Sequence, residues 1–329
     1  MVTRRSMAIL ALFLGSLATF TLVDFLRGQQ PQAEAKVRIG AWNIEWLGYP
    51  DRRKGPEQSP EHIGAYLLEH KVDVVSIEEV SAGEGTEAEP RNKILTETMA
   101  WLKQKTGQEW RYLLFPKLPG GEADFVKHQW TGVLWNTSRV KLVGDPFKIP
   151  VRRSEANKEI WSRWPHAVKF STGEGKTDFV LIPIHMKSNR GGEGVTSEQR
   201  SEEAKALVRA FATVQNQFTD DDIIPLGDFN LKSTKEKAHA RFVGAGLRDL
   251  NEDDATTWIA DATYPAAPFD RIFVPDDQPE FKSSVQTVAK SAAFLRDSRW
   301  PGTIEEKFRH YLSDHWMVVA EVPVMADDD

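Results

Sequence analysis

The chain has 329 residues, 40% hydrophobic and 27% charged, with 11 Trp and no Cys. That is ordinary globular composition, enough for one large domain or two small ones, and it excludes disulfides, thiolate nucleophiles and Cys-ligated zinc. A net charge of −6 provides no global field for a nucleic-acid scaffold, but it leaves room for an enzyme with a local basic cleft.

The first 35 residues read as a targeting segment. Arg4 and Arg5 form a basic start, Met7 to Val23 is apolar, and Ala33-Glu34-Ala35 is a small-x-small cleavage site. An apolar stretch of that length also leaves a membrane anchor open. The polar interval Asp24 to Gln32 favours cleavage, and Arg4-Arg5 loosely resembles a twin-arginine export signal. Removing residues 1–35 leaves 39 basic against 46 acidic residues. The expected products are therefore an exported acidic domain, 36–324, and a short acidic tail, 325–329.

Apolar runs and turn residues then predict the elements in order. Val37–Trp42 is a strand. A helix begins at Ser59-Pro60-Glu61, with Ser as N-cap and Pro in the first turn, burying Ile63, Tyr66 and Leu67. Val72–Ile77 is a strand, and 93–106 is a helix stopped by Gly107. Strands follow at Thr131–Trp135, Ala167–Ser171 and Phe179–Ile184. Thr196-Ser-Glu-Gln199 predicts a capping box, with Ala204, Leu207, Val208 and Phe211 at helical spacing behind it. The last strands are Ile223–Leu226, Arg271–Val274 and Trp316–Val322. Three polar loops, Ser81–Arg91, Pro116–Gln129 and Lys187–Val195, lie where substrate loops usually sit. Strands interleaved with helices make this a layered α/β protein.

Residues 223–230, Ile-Ile-Pro-Leu-Gly-Asp-Phe-Asn, are the most informative stretch. A buried strand ends at a glycine, and Asp228 and Asn230 follow two apart, on one side of an extended chain. An Asx turn explains the same residues equally well. The pattern recurs, however. Apolar strands end in Asn43, in Glu78-Glu79 and in His185, and others begin with Asp270 and with Asp314-His315. Each has a plain structural role open to it, a core histidine or a solvated strand end. Six such ends together supply hard oxygen ligands and two imidazoles for proton transfer.

In this order the motifs resemble the endonuclease/exonuclease/phosphatase superfamily, typified by deoxyribonuclease I, from about Arg38 to Val322. Trp161-Ser-Arg163-Trp-Pro165-His-Ala-Val-Lys-Phe170 resembles the family segment whose arginine contacts phosphate. The resemblance implies a four-layer α/β/β/α sandwich and hydrolysis of phosphate esters with Mg²⁺, or alternatively Ca²⁺ or Mn²⁺. It implies Glu79 as principal metal ligand with Asn43 beside it, and Asp314 as a further metal or outer carboxylate. Asp228 would orient or deprotonate water. Asn230, His185 and Arg163 would hold phosphate, and Asp270 would pair with His315.

Two departures stand out. Glu78 replaces the family's usual glutamine, and it is expected on the strand face opposite Glu79. The arginine that deoxyribonuclease I carries two residues after its metal-binding Glu is absent, and the 81–91 loop is acidic, which disfavours a duplex backbone. The leading expectation is a nuclease. Arg52, Arg53, Lys54, Arg152, Arg153, Lys187 and Arg190 would favour a polyanion, and Trp46, Trp130, Trp164 and Trp258 are candidates for base stacking. A lipid or inositol phosphate esterase is the alternative, and a catalytically dead binding module is disfavoured by the full set of site residues.

Overall fold

Side-chain alternation along β1 (Lys36–Leu47) sets the layering. Ile39 and Ala41 enter one core, and Trp42, Ile44 and Leu47 enter another. The computed structural model describes residues 35–49, 51, 53, 55–86, 89–115, 129–151 and 160–327. The targeting segment before Ala35, Arg52, Lys54, Arg152, Arg153 and all but Gln129 of the 116–129 loop lie outside the described residues.

Two six-stranded mixed sheets stack face to face. The first runs β13 (Gln286–Val288), β14 (Val318–Pro323), β1, β2 (Val74–Val80), β6 (Trp130–Asn136), β5 (Trp110–Phe115). The second runs β11 (Leu247–Asp249), β12 (Asp270–Pro275), β10 (Ile223–Asp228), β9 (Asp178–His185), β8 (His166–Ser171), β7 (Lys141–Lys148). A two-residue hairpin, β3 (Glu84–Gly85) with β4 (Pro90–Arg91), sits within the acidic 81–91 loop.

Helices α1 (Pro60–Glu69), α2 (Lys93–Thr106) and α5 (Ile304–Tyr311) send Ile63, Leu95 and Phe308 into the core on the first sheet's outer face. Helices α3 (Glu193–Phe218) and α4 (Lys237–Val243) send Ala204, Leu207 and Phe242 into the core of the second sheet. Val133, Phe170, Phe179 and Ile224 fill the space between the sheets. The result is the expected α/β/β/α sandwich.

Local chemistry accounts for the helix ends. Ser59 Oγ accepts from His62 N at 3.1 Å, and Asn92 Oδ1 accepts from Leu95 N at 2.9 Å. Gly107 closes α2 in the left-handed region at φ 73°. The capping box expected at Thr196–Gln199 is not formed. The chain turns helical at Glu193, behind Gly192 at φ 96°, so the loop is shorter than predicted. Thr196 lies inside α3, and its hydroxyl bonds back to Gly192 O at 3.1 Å. The last strand starts at Val318, because Trp316 N bonds to Thr257 O outside the ladder. At the other end Met325 O accepts from Thr177 N at 3.0 Å and Met325 N donates to Thr177 Oγ1 at 2.9 Å, so the domain's pairing continues beyond Val324. Among the described residues no helix is long and apolar enough to cross a membrane.

Each sheet has one parallel pair, β1 with β2 and β9 with β10, each joined through a helix. Their outer neighbours β14, β6, β12 and β8 run antiparallel to them. Strands that end at one edge therefore lie beside strands that begin there. Polar residues at strand ends and polar residues at strand starts meet at that edge.

His166 opens β8 and is buried, stacked on Phe115 at 5.0 Å, with Nδ1 2.9 Å from Trp164 O. Burial lowers its pKa from 6.5 to about 4. The unfolded chain binds this proton more readily, so stability should fall as pH drops below 6.5, with the loss complete near 4. His166→Gln should remove up to about 3 kcal/mol of that acid sensitivity, read from urea midpoints at pH 7 and pH 4.5.

Candidate active site

Asp228 closes β10 directly opposite His185 on β9 and Asp270 on β12. Asn43 on β1 donates through Nδ2 to Asp228 Oδ2 at 3.0 Å, joining the two sheets. His185 Nε2 stands 3.6 Å from Asp228 Oδ2 and 3.7 Å from Glu79 Oε1. His315 Nδ1 is 2.8 Å from Asp270 Oδ2, and its Nε2 is 3.9 Å from Asp314 Oδ1. All of these residues except Glu79 and Asp314 are buried.

The backbone departs from ladder geometry at this edge. β1 and β2 both shift register at this edge, between Asn43 and Leu47 and between Ile77 and Val80. Glu45, Glu79 and Asn230 take positive φ of 49°, 60° and 54°. Asp228 and Asn230 are brought together by a turn rather than by strand alternation. Asn230 N donates to Asp228 Oδ1 at 2.8 Å, an Asx turn. The Asx-turn reading of that stretch is the one the backbone takes, with Asn230 outside the extended region. Asn230 Nδ2 reaches Met186 O at 3.3 Å.

Outer contacts orient the imidazole. Thr257 Oγ1 donates to Asp270 Oδ2 at 2.6 Å and accepts from Asp270 N at 2.9 Å. Ser313 Oγ donates to Asn43 O at 2.6 Å and accepts from His315 N at 3.0 Å. Trp258 Nε1 donates to Asp314 Oδ2 at 3.1 Å, with Arg309 5.6 Å from its ring centre.

Burial dominates the electrostatics. It pushes Asp228 up to about 7, with His315 acting against the rise and Asp270 adding to it. Burial and then Asp314 raise Glu79, and the same causes bring Glu45 to about 8. Burial acts to lower His315, but the Asp270 charge and hydrogen bond, followed by Asp228 and Asp314, hold it well above the ordinary range. Arg163 is lowered by burial, while Glu79, Asp228 and Glu203 favour its charge.

Among the described residues no three His, Asp or Glu side chains already form a metal cage. The donor chemistry nevertheless fits a hard divalent ion held by few carboxylates and water, as Mg²⁺ is. Asp314 raises the pKa of both Glu79 and Glu45, and Glu79 adds to the rise of Glu45, a repulsion that a bound cation would relieve. Asn43 Oδ1 accepts from Glu45 N at 3.0 Å and retains a second lone pair.

No protein-family model matches the sequence, and no curated protein does either. Solved structures do match. An endonuclease/exonuclease/phosphatase from Bacteroides vulgatus aligns with TM-score 0.60 at 15% identity, covering 89% of this chain and 100% of that one. The fold is that of the endonuclease/exonuclease/phosphatase proteins. A Bacteroides thetaiotaomicron protein of that family gives 0.58 at 17% identity, over 88% and 95% of the two chains. The human Nocturnin catalytic domain with bound sulfate gives 0.55 at 17%, over 89% and 97%. Identity this low speaks to the endonuclease/exonuclease/phosphatase fold and leaves the site to be argued from its own residues.

Three expectations change. Arg53 is no surface cation: its guanidinium is buried against Pro56, Arg309, His310 and Leu312 carbonyls and Glu45. Trp130 is buried within the first core and offers no face for stacking. Trp164 is pinned, Nε1 to Ile149 O at 2.6 Å, with Lys148 over its ring. One acid was missed. Glu45 lies two residues after Asn43 and is exposed to the site by a bulge that no periodicity announces. Glu78 does point away from Glu79, but into the space between the sheets, where Ser76 Oγ donates to it. Burial, with Asp270 and Asp228 nearby, lifts its pKa well above the ordinary range.

Gly227 makes this approach possible at φ 137°. A Cβ there would collide with Ile184 O and stand 2.7 Å from Glu78 Oε1. Gly227→Ala should destabilise the fold by about 3 kcal/mol or more, measured by urea unfolding.

Proposed function

We propose that this chain is a divalent-metal-dependent phosphodiesterase that cleaves nucleic acid, acting as an endonuclease. The observation that carries this reading is the meeting of Asp228, His185, Asn230 and the His315–Asp270 pair at one edge, with Arg163 facing Asp228 and Glu79. That set supplies a base, phosphate donors and compensating cations, the three needs of an in-line displacement at phosphorus.

The carboxylate of Asp228 sits in surroundings that bring its pKa to about 7, matched to accepting a proton from water at neutral pH. The water oxygen forms the new bond to phosphorus as the ester P–O bond opposite it breaks. Asn230 Nδ2, His185 and Arg163 hold the non-bridging oxygens. His315, kept cationic by Asp270, offsets negative charge as it develops. Glu79 and Asp314, with Glu45 and Asn43, would hold the metal, which supplies Lewis-acid polarisation of a phosphoryl oxygen.

Nucleic acid is favoured over lipid by the rim. Lys187 and Arg190 follow His185, and the half-buried Trp258 lies beside Asp314. Among the described residues the exposed large apolar side chains, Val143, Val195, Val243, Tyr264, Val285 and Met325, belong to separate elements and form no membrane-dipping hairpin. The sequence of residues 1–35 supports export to the periplasm or beyond, with residues 7–23 as an anchor if uncleaved.

His315→Ala and Asp228→Asn should each lower phosphodiesterase kcat at least about 100-fold. Near-wild-type hydrolysis by both variants would sink the assignment. EDTA should abolish turnover, and excess Mg²⁺ should restore it. Substrates should include duplex DNA, single-stranded DNA, RNA, sphingomyelin and inositol phosphates. Cleavage of only the last two would move the assignment to a lipid or inositol phosphate esterase.

A further inference from the structure

The buried face of α3 carries two charged side chains. Arg200 and Glu203 are fully buried, one turn apart, on the stripe that also presents Ala204, Leu207 and Val214. Burying charge costs several kcal/mol, and apolar residues of similar volume often serve stability as well or better. Glu203 Oε1 has no hydrogen-bond partner among the described residues, which adds to that cost. Stability alone is a poor account of these two residues.

Their partners suggest another. Glu203 Oε2 accepts from Lys187 N at 2.9 Å, and Arg200 Nη1 donates to Lys187 O at 3.2 Å. The peptide groups on both sides of Lys187 are thereby held, two residues beyond His185. Arg200 also donates through Nε and Nη2 to Glu236 Oε2, at 3.1 and 2.7 Å. Glu236 Oε1 in turn accepts from Lys232 N at 2.8 Å, two residues beyond Asn230. One guanidinium therefore joins the loop after β9 to the loop after β10.

Those loops carry the phosphate-gripping groups. Met186 O receives Asn230 Nδ2 at 3.3 Å and Arg163 Nη1 at 3.4 Å, and Asn189 Nδ2 donates to Asn230 O at 2.9 Å. The ladder between β9 and β10 fixes register only as far as His185 opposite Asp228. One backbone bond follows, from Met186 N to Asp228 O at 2.9 Å, and beyond it the spacing of the loops depends on the side-chain bridges.

We propose that Arg200 and Glu203 are positioning residues that hold the His185–Asn189 and Asp228–Lys232 segments at the separation needed to grip phosphate. The proposal rests on the phosphodiesterase reading for its catalytic consequence, but not for the linkage itself.

The test uses full-length protein and the variants Arg200→Met, Glu203→Ala and Glu203→Gln. Hydrogen exchange is followed by mass spectrometry, and turnover of bis(p-nitrophenyl) phosphate is measured with Mg²⁺. Arg200→Met should lose protection in 186–190 and 231–236 together, with β9 and β10 still protected. Its kcat should fall at least about 30-fold with KM within about threefold, as expected for misplaced groups. Glu203→Ala should loosen 186–190 and lower kcat similarly. Glu203→Gln, whose amide oxygen still accepts from Lys187 N, should recover most of that loss. Should Arg200→Met not fold, Arg200→Lys carries the same expectation, since one ammonium cannot replace the forked contact.

Retained protection in both loops of the Arg200 variant would overturn the proposal. So would unchanged kcat in both Arg200→Met and Glu203→Ala with only a lower melting temperature. Loss of protection in a protein that cleaves no phosphoester in wild-type form would uphold the linkage and overturn the phosphodiesterase reading instead.

Discussion

Five carboxylates, Glu45, Glu79, Asp228, Asp270 and Asp314, share one edge of the sandwich, and holding that much negative charge away from water is the constraint the surrounding structure must meet. Burial, with neighbouring carboxylates adding to it, lifts Glu45 and Asp228 toward neutral pH. The fold responds with His315 on Asp270, Asn43 on Asp228 and Arg53 on Glu45. Compensation remains partial: Glu45 and Glu79 stay raised against Asp314. An edge that is still short of positive charge is suited to a divalent cation and, through it, to an anionic substrate.

Topology delivers these groups. A parallel pair in each sheet needs a long crossover, and α1 and α3 provide it. Both pairs then end at one edge, presenting Asn43, Glu79, His185 and Asp228. Their antiparallel neighbour β12 begins there with Asp270, and the residues before β14 bring in Asp314 and His315. At that edge the Asn43–Asp228 hydrogen bond ties the two sheets together, seated above the interlayer core. Packing of Ile39, Val133, Phe179 and Ile224 therefore sets the spacing of the reactive groups.

Much of this was legible in the sequence because strand ends are local events. An apolar run that stops at a polar residue marks both the strand and its polar tip, so Asn43, Glu79, His185, Asp228 and Asp270 could be named from the sequence. Helix α2 was equally clear from its apolar spacing and Gly107. What could not be read depends on groups distant in sequence. The bulge that exposes Glu45 arises from pairing with β2 and leaves no period to detect. The start of α3 was misplaced because Thr196 looks like a cap, whereas its hydroxyl bonds to a carbonyl one turn back. β5, β7, β11 and β13 were not anticipated, since their stability comes from pairing partners rather than from their own sequence.

The arginines show most clearly why geometry must complete the reading. Arg53, Arg200 and Arg271 are alike in sequence, each a cation in a chain rich in acids, and a motif marks out Arg163 among them. Arg271 is neutralised by Asp249 and Asp254, and Arg200 by Glu236. Arg53 is enclosed by four carbonyls and Glu45. Arg163 differs: its hydrogen bonds go to neutral groups, Met186 O and the Gln129 side chain. Its charge is favoured through space instead, by Glu79, Asp228 and Glu203, against the burial that lowers its pKa. The sequence motif singles out Arg163, but the neutral hydrogen-bond partners that set it apart from Arg53, Arg200 and Arg271 are a property of the fold.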